Sequence, residues 1–517
     1  MKQAGNEVRR RLSFGLTGWT LLPGAASADN RSGGVRDKLG PLFNPEHRSD
    51  GAPRHSRRHW SGSASAVRRW NEVAIDSSGI DHTPVAAGES RVFGEQLGPG
   101  RSARAMASVH IAIYDAVTAI AGGHDSYTDL PRARRPASID AAVAQAAHDT
   151  LLAMFPSQTA SLADLLAEDL ARLRAVPPDV KAAGIELGRQ AAAAILSLRA
   201  DDGAQHAEPR MGADYIPGTL AGQWRQDPVS RIPLAMGAHW AEVKPFVLRS
   251  AQQFRLPPPP ALTSVEYTAA FDEVKRFGGD GITTPTVRSE EQKTLAIFWA
   301  YDGTPSLCAP PRLYNQIATQ IAEQKRADVM QTARLLALVN VAMADAAVAA
   351  WESKYHYSLW RPVTGVREAD AGTGPTGAGD GNPATIGDAD FMPLGAPASN
   401  LNGPNFTPPF PSYPSGHAVF GGALFQTLRQ FFGSDRIAFT FVSDELNGVT
   451  RDNAGQVRAL SPRSFKTLSQ AETENGRSRI YLGIHWAFDS TQGIAQGRSV
   501  ADFVMRHAFE PAGRPPR

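Results

Sequence analysis

Residues 329–356 read VMQTARLLALVNVAMADAAVAAWESKYH, the longest helical pattern in this chain of 517 residues. No Gly or Pro interrupts it, which is typical of a long α-helix. Its most apolar part, residues 335–351, contains Asp345 and is therefore interpreted as a core helix, not as a membrane span. Shorter helical patterns lie near residues 103–120, 137–154, 159–174, 178–199, 264–277, 289–300 and 311–325. Strand patterns are scarce, so the predicted fold class is mainly α.

The composition is that of a globular protein, with 42% hydrophobic and 20% charged residues. The net charge of +2 conceals a basic N-terminus, because residues 1–70 contain 13 Lys and Arg but only 5 Asp and Glu. The remainder is mildly acidic, which argues against a nucleic-acid partner. A single cysteine, Cys308, excludes an intrachain disulfide.

The distribution of Gly, Pro and helix-forming residues along the sequence divides the chain into three regions. Residues 1–66 are predicted to be a disordered basic segment, residues 67–262 an N-terminal helical domain with a connector, and residues 263–517 a C-terminal helical domain that carries the functional site. Residues 369–411 are rich in Gly, Asp, Asn and Pro, and are expected to form a long loop at the entrance of a site.

Residues 9–28 have a pattern similar to that of an export signal. Three arginines precede an apolar stretch, and Ala25-Ala26-Ser27-Ala28 follows it. Gly15, Gly18 and Pro23 interrupt that stretch, so a secreted or periplasmic location and a cytoplasmic one both stay open.

The first of three motifs joins Lys354 to Arg361-Pro362. If the long helix persisted to Trp360, the two cations seven residues apart would share one face. Two neighbouring cations repel each other unless an anion lies between them. The alternative is an ordinary solvated basic face.

The second motif, Pro414-Ser415-Gly416-His417, precedes an apolar helical pattern over residues 418–432. Ser415 is a good N-cap, and Gly416 allows a ligand close to the backbone. The free N–H groups and dipole of a helix N-terminus favour an anion. His417 could then exchange a proton with that ligand, although a packed or capping histidine is the alternative.

The third motif runs from Ser478-Arg479 through Gly483 and His485 to Asp489. The Arg479 guanidinium can donate to two oxygens of one anion. Asp489, four residues after His485, could fix its tautomer and leave the far ring nitrogen free as a nucleophile or metal ligand. A surface i,i+4 pair is the alternative, but the apolar neighbours argue for burial.

Taken together, these motifs resemble the family of vanadium-dependent haloperoxidases. Its superfamily includes class A acid phosphatases and type 2 phosphatidic acid phosphatases. The shared patterns are Lys-x6-Arg-Pro, Pro-Ser-Gly-His and Ser-Arg-x3-Gly-x-His-x3-Asp, and each is complete here. The similarity runs from about residue 67 to 507 and is vanadium chloroperoxidase-like at residues 70–73, 298–303, 310–317 and 445–449. It implies two antiparallel helical bundles with long irregular connecting loops, and a site in the C-terminal bundle.

The resemblance also implies a vanadate cofactor and no haem. His485 would bond vanadium, and His417 would be the acid–base group. The vanadate oxygens would be held by Lys354, Arg361, Arg479, the Ser415 hydroxyl and the Gly416 N–H. Asp302 would pair with Arg479, and Trp351 and Phe410 match residues of chloroperoxidases.

The function implied is a peroxidase that uses hydrogen peroxide to oxidise bromide, and also chloride, to a hypohalous acid that halogenates a small organic acceptor. The rival interpretation is an acid phosphatase with His485 as nucleophile and His417 as leaving-group acid. The length of the chain and the 60 residues between His417 and Ser478 favour the peroxidase. A binding protein without turnover would be expected to lack a motif residue, and none is missing. The oligomeric state and the organic acceptor cannot be read from the sequence.

Overall fold

The computed structural model describes residues 33–43, 53–86 and 88–513. Within these ranges the fold is mainly α, as predicted, with one short antiparallel pair of strands, β1 (Phe439–Phe441) and β2 (Arg463–Phe465). The helices are α1 (Gly33–Leu39), α2 (Ser65–Asp81), α3 (Pro99–Ala121), α4 (Ile139–Met154), α5 (Thr159–Arg172), α6 (Pro178–Leu198), α7 (Val265–Phe277), α8 (Glu290–Phe298), α9 (Pro311–Gln324), α10 (Val329–Tyr357), α11 (Pro362–Arg367), α12 (Gly416–Phe432), α13 (Leu468–Tyr481) and α14 (Ala487–His507).

Local capping determines where several of these helices begin. Ser138 and Ser264 accept N–H bonds at the starts of α4 and α7. Ser289 and Asp328 begin α8 and α10, each in a capping box with the glutamine three residues later. The helices predicted from periodicity are confirmed to within a few residues at each end.

Helix α10 lies at the centre of the molecule. It packs against α3, which belongs to the N-terminal group of helices, and against α12 and α14, which belong to the C-terminal group. One apolar core therefore serves both groups. Among the described residues, α10 is the one helix long and apolar enough to cross a membrane. However, 94% of its most apolar stretch of 18 residues is buried inside the protein. The interpretation as a core helix is confirmed.

Asp345 is the buried charge within α10. Its carboxylate accepts N–H bonds from Phe246 at 2.6 Å and from Val247 and Leu248 at 2.8 Å each. These bonds tie the connector that follows the N-terminal helices to the central helix. The domain boundary near residue 262 stays a prediction.

Residues 33–43 correct one expectation. They lie within the segment predicted to be disordered, yet residues 33–39 form α1, and Val35 and Phe43 are 1% and 2% exposed. Apolar packing against distant parts of the chain orders this stretch, which local composition does not reveal. The possible export signal at residues 9–28 lies outside the described residues and stays a prediction.

The end of α10 corrects a second expectation. Ser358 adopts a left-handed conformation with φ 47°, and the helix ends at Tyr357. Arg361 instead precedes the short helix α11 as its N-cap residue. Lys354 and Arg361 therefore do not share the face of one helix, and any proximity between them comes from the turn that joins α10 to α11.

Candidate active site

A cavity lies at the N-terminus of α12. Seven of the predicted site residues line it: Asp302, Trp351, Phe410, Gly416, His417, Arg479 and His485. The other four, Lys354, Arg361, Ser415 and Asp489, lie behind that lining and contact it or the loop that carries it. All three motifs therefore converge on one place.

His485 is held between a cation and a carboxylate. Arg361 Nη1 donates to His485 Nε2 at 2.9 Å, and His485 Nδ1 lies 2.8 Å from Asp489 Oδ2. Because Nε2 accepts a hydrogen bond, the ring proton is assigned to Nδ1, which donates its hydrogen bond to Asp489. Burial, and then the charge of Arg361, holds the pKa of His485 well below its usual value. The ring is thus neutral, with a lone pair on Nε2.

Asp489 lies just inside α14 and is fixed in turn by Ser412, whose hydroxyl donates to Oδ2, and by the Trp486 N–H at 3.1 Å. Burial raises the pKa of Asp489 to about 6, against the lowering effect of the Ser412 bond. The carboxylate is therefore ionised at neutral pH and sets the tautomer of His485.

Arg361 and Lys354 use their donors mainly on backbone carbonyls. Arg361 donates from Nε to the Phe410 carbonyl at 2.9 Å, and burial lowers its pKa to about 9, which still leaves it charged at neutral pH. Lys354 Nζ donates to the carbonyls of Pro411 at 2.8 Å and Ser412 at 3.0 Å, and also to that of Pro414. Lys354 thereby fixes the loop that leads into α12. To contact an anion directly, its ammonium must release one of these carbonyls.

Arg479 differs from the other two cations. Its Nη2 donates to Asp302 Oδ1 at 2.6 Å, but its Nε and Nη1 are buried and have no hydrogen-bond partner in the described part of the chain. Unsatisfied donors on a fully buried guanidinium are costly. Nε and Nη1 lie on different edges of the planar guanidinium, and each can donate to an oxygen of an anion. The residues present therefore fit an oxyanion cofactor.

Ser415 caps α12, accepting the Ala418 N–H at 3.5 Å, so the open end of this helix faces the cavity at Gly416. The next residue, His417, donates from Nε2 to the carbonyl of Ala300. Its Nδ1 then carries the lone pair. Burial, followed by the charge of Arg479, lowers the pKa of His417 well below its usual value. A neutral imidazole of this kind can accept a proton.

Two aromatic rings form the wall beside these cations. Trp351 and Phe410 meet edge to face, with ring centroids 4.9 Å apart. Lys354 Nζ and the Arg361 guanidinium each lie 5.0 Å from the Phe410 ring centroid. The rings shield the cations from water and keep that side of the cavity apolar.

Sequence reasoning missed several residues of the site. The Ala300 carbonyl, which fixes His417, carries no side-chain signal, although it lies in the stretch at residues 298–303 that resembles the family. Ser412 has no motif of its own. Lys38, Leu39 and Phe43 also line the cavity. They come from the predicted disordered segment, where nothing in the local pattern indicates such a role.

Comparison with known proteins agrees with this geometry. The family model described as the VCPO second helical-bundle domain matches residues 334–513. The vanadium chloroperoxidase of Curvularia inaequalis is 31% identical over 503 residues, which cover 81% of this chain and 78% of that protein.

Two solved structures share the fold. A bacterial vanadium-dependent iodoperoxidase superposes with a TM-score of 0.66 at 24% identity, covering 89% of this chain and 100% of that one. A bacterial vanadium-dependent chloroperoxidase in its holo form gives a TM-score of 0.58 at 20% identity, covering 84% and 96%. Since the identity to the Curvularia protein extends over most of both chains, this protein belongs to the vanadium-dependent haloperoxidase family.

Proposed function

We propose that this protein is a vanadate-dependent haloperoxidase that uses hydrogen peroxide to oxidise bromide, and also chloride, to a hypohalous acid that halogenates small organic acceptors. The observation that carries the proposal is the buried Arg479 guanidinium with two unpaired donors, in the same cavity as the neutral ring of His485. The names of the relatives, which include chloroperoxidases and an iodoperoxidase, support halide as the substrate class.

The proposed cofactor contacts follow from the donors present. His485 Nε2 would bond vanadium in place of its contact with Arg361 Nη1, and Arg479 Nε and Nη1 would donate to oxygens. At the N-terminus of α12, the Gly416 N–H and the Ser415 hydroxyl would donate hydrogen bonds to vanadate oxygens. Bound vanadate supplies a Lewis acid that activates peroxide without a change in the metal's oxidation state.

The charges around the site also favour an anion. Three buried cations, Lys354, Arg361 and Arg479, lie near the carboxylates Asp302 and Asp489, and the buried Asp227 has a weaker effect on Arg361. Buried charges are stable only when they are paired, so an oxyanion offsets the excess. Lys354 contributes chiefly through its charge, since its three donors are engaged by carbonyls.

His417 is the proposed acid–base group. Its Nε2–H is fixed by Ala300, so Nδ1 would accept the proton of hydrogen peroxide and later return it. Its depressed pKa keeps the ring neutral, and an anion beside Arg479 would raise that pKa towards the working pH by offsetting the positive charge.

The decisive experiment compares two reactions of the purified protein with and without orthovanadate. Halogenation of a dione with peroxide and bromide or chloride is expected only with vanadate. Hydrolysis of an aryl phosphate without any vanadate-dependent halogenation would instead establish the phosphatase. Phosphate resembles vanadate, so only the pair of assays separates the two functions.

A matched pair of variants tests the unpaired donors of Arg479. Arg479→Lys keeps the charge but removes the unpaired Nε and Nη1 donors, and is expected to weaken vanadate binding about tenfold or more. Arg477→Lys changes a neighbouring arginine that is 38% exposed and paired with Glu273, and is expected to bind vanadate like the original chain. Equal affinities for the two variants would remove the main support of the proposal.

A further inference from the structure

Residues 33–43, here called the N-terminal segment, close one side of the active-site cavity. Phe43 packs edge to face against Phe406, with ring centroids 6.0 Å apart. Val35 packs against the apolar residues Phe93 and Leu97. The segment is thus held by two separate parts of the fold.

Polar contacts strengthen this attachment. Lys38 Nζ donates to the carbonyls of Phe93 at 2.6 Å and Gly94 at 3.0 Å. Gly40 has a positive φ of 95° and passes so close to the Arg231 carbonyl that a Cβ there would lie 3.1 Å from its oxygen. A side chain at residue 40 would be strained and crowded, so the close approach depends on glycine.

The segment contributes Lys38, Leu39 and Phe43 to the cavity wall. The same cavity is lined by the Trp351 and Phe410 rings and by the proposed catalytic groups. Most of the surface that lines the cavity is apolar. Halide and peroxide are small and polar, and neither gains from contact with an apolar wall of this size. An apolar organic molecule does gain, because it leaves water on entering.

The charges lining the cavity limit which molecules it can take. They are Lys38, Arg479 and Asp302, and the single carboxylate is already paired with Arg479. A cationic ligand would meet a net positive wall without a free carboxylate. A neutral or anionic ligand meets no such penalty.

We propose that this cavity binds the organic acceptor, and that the acceptor is a neutral or anionic apolar molecule of aromatic size, held by Leu39 and Phe43 of the N-terminal segment. This inference rests on the proposed function. An electron-rich ring carbon of the held acceptor attacks the halogen of hypohalous acid. The carbon–halogen bond forms as the halogen–oxygen bond breaks, and the oxygen leaves as water after it takes up the displaced ring proton.

Direct binding tests the inference without turnover. Calorimetric titration of the vanadate-loaded protein with 2-naphthol, in the absence of peroxide, is expected to show binding. A naphthylmethylammonium ion is expected to bind at least tenfold more weakly. Phe43→Ala and Leu39→Ala are each expected to weaken naphthol binding about five- to tenfold. The control is Leu42→Ala, in the same segment but 46% exposed and outside the cavity, which is expected to bind within twofold of the original chain.

Two activity measurements separate this inference from the proposed function. Formation of tribromide from bromide and peroxide needs no acceptor, and is expected in the original chain and equally in Leu42→Ala. Competition between 2-naphthol and a small dione is expected to favour naphthol more strongly with the protein than with reagent hypobromous acid, and Phe43→Ala is expected to remove that preference.

Equal product ratios for protein and reagent, or equal naphthol affinities in Phe43→Ala and Leu42→Ala, would overturn the acceptor site even if tribromide forms. A lack of vanadate-dependent tribromide formation would instead overturn the proposed function, and with it the halogenation step. The calorimetric comparison would still decide whether the cavity holds such a ligand.

Discussion

Removal of the Asp302 carboxylate should expose how much of the fold's stability depends on balancing the buried cations. Asp302 Oδ1 accepts from Arg479 Nη2 at 2.6 Å, with side-chain exposures of 4% and 0%. In Asp302→Ala the guanidinium keeps its charge, but Nη2 joins Nε and Nη1 as an unpaired donor. Breaking a buried ion pair from one side costs about 3–5 kcal/mol.

The expected change in melting temperature follows from that cost. Because one core joins both groups of helices, the cooperative unit has about 450 residues and shifts by roughly 1 °C per kcal/mol, which gives a decrease of about 3–5 °C. Orthovanadate should reverse part of this decrease, because the oxyanion becomes the missing partner of Arg479. Since the variant has one more uncompensated positive charge, we expect vanadate to raise its melting temperature by more than it raises that of the original chain.

The assay is thermal unfolding followed by circular dichroism, with and without orthovanadate. Glu186→Ala serves as the control, because its contact with Arg189 is 3.9 Å long and both side chains are more than half exposed. Such a surface pair contributes about 0–1 kcal/mol. If Asp302→Ala melted within about 1 °C of that control (about the surface-pair limit), or gained no more from vanadate than the original chain, the charge-balance reasoning would be refuted.

Three further predictions concern the site and the core. His485→Ala should abolish vanadate binding in equilibrium dialysis, whereas His417→Ala should retain vanadate and lose about 10²–10⁴-fold in kcat; tight retention by the first variant would contradict the ligand assignment. Asp345→Ala leaves the three N–H groups of residues 246–248 without their acceptor, and should lower the free energy of unfolding by about 3 kcal/mol or more in a denaturant titration, with a smaller loss for Asp345→Asn. Burial raises the pKa of Glu445 to about 7 from 4.5, so the folded chain holds a proton there that the unfolded chain releases. Stability should therefore fall by up to about 3 kcal/mol as the pH rises from 4.5 to 7, and Glu445→Gln should flatten that part of the profile.

Local features were predictable because their causes are local. The capping boxes at Ser289 and Asp328 begin α8 and α10 through side chains three residues apart. Ser415 caps α12 for the same reason. The resemblance of three complete motifs then indicated which residues meet, and the 2.9 Å contact of Arg361 with His485 agrees with it.

Features that depend on distant packing were not predictable. The helical-face argument for Lys354 and Arg361 was wrong, because α10 ends at Tyr357 before Arg361 is reached. The engagement of Lys354 with three carbonyls depends on the path of residues 411–414, which no pattern specifies. The attachment of Phe43 to Phe406 joins residues more than three hundred positions apart and has no local signal.

The shared position of α10 limits how this protein can be divided. A chain cut at the predicted boundary near residue 262 would keep α10 but lose α3, leaving bare the apolar surface where the two helices pack. Large apolar patches of this kind promote aggregation. The C-terminal group of helices is therefore ill suited to recombinant production as a fragment or to transfer into a fusion protein.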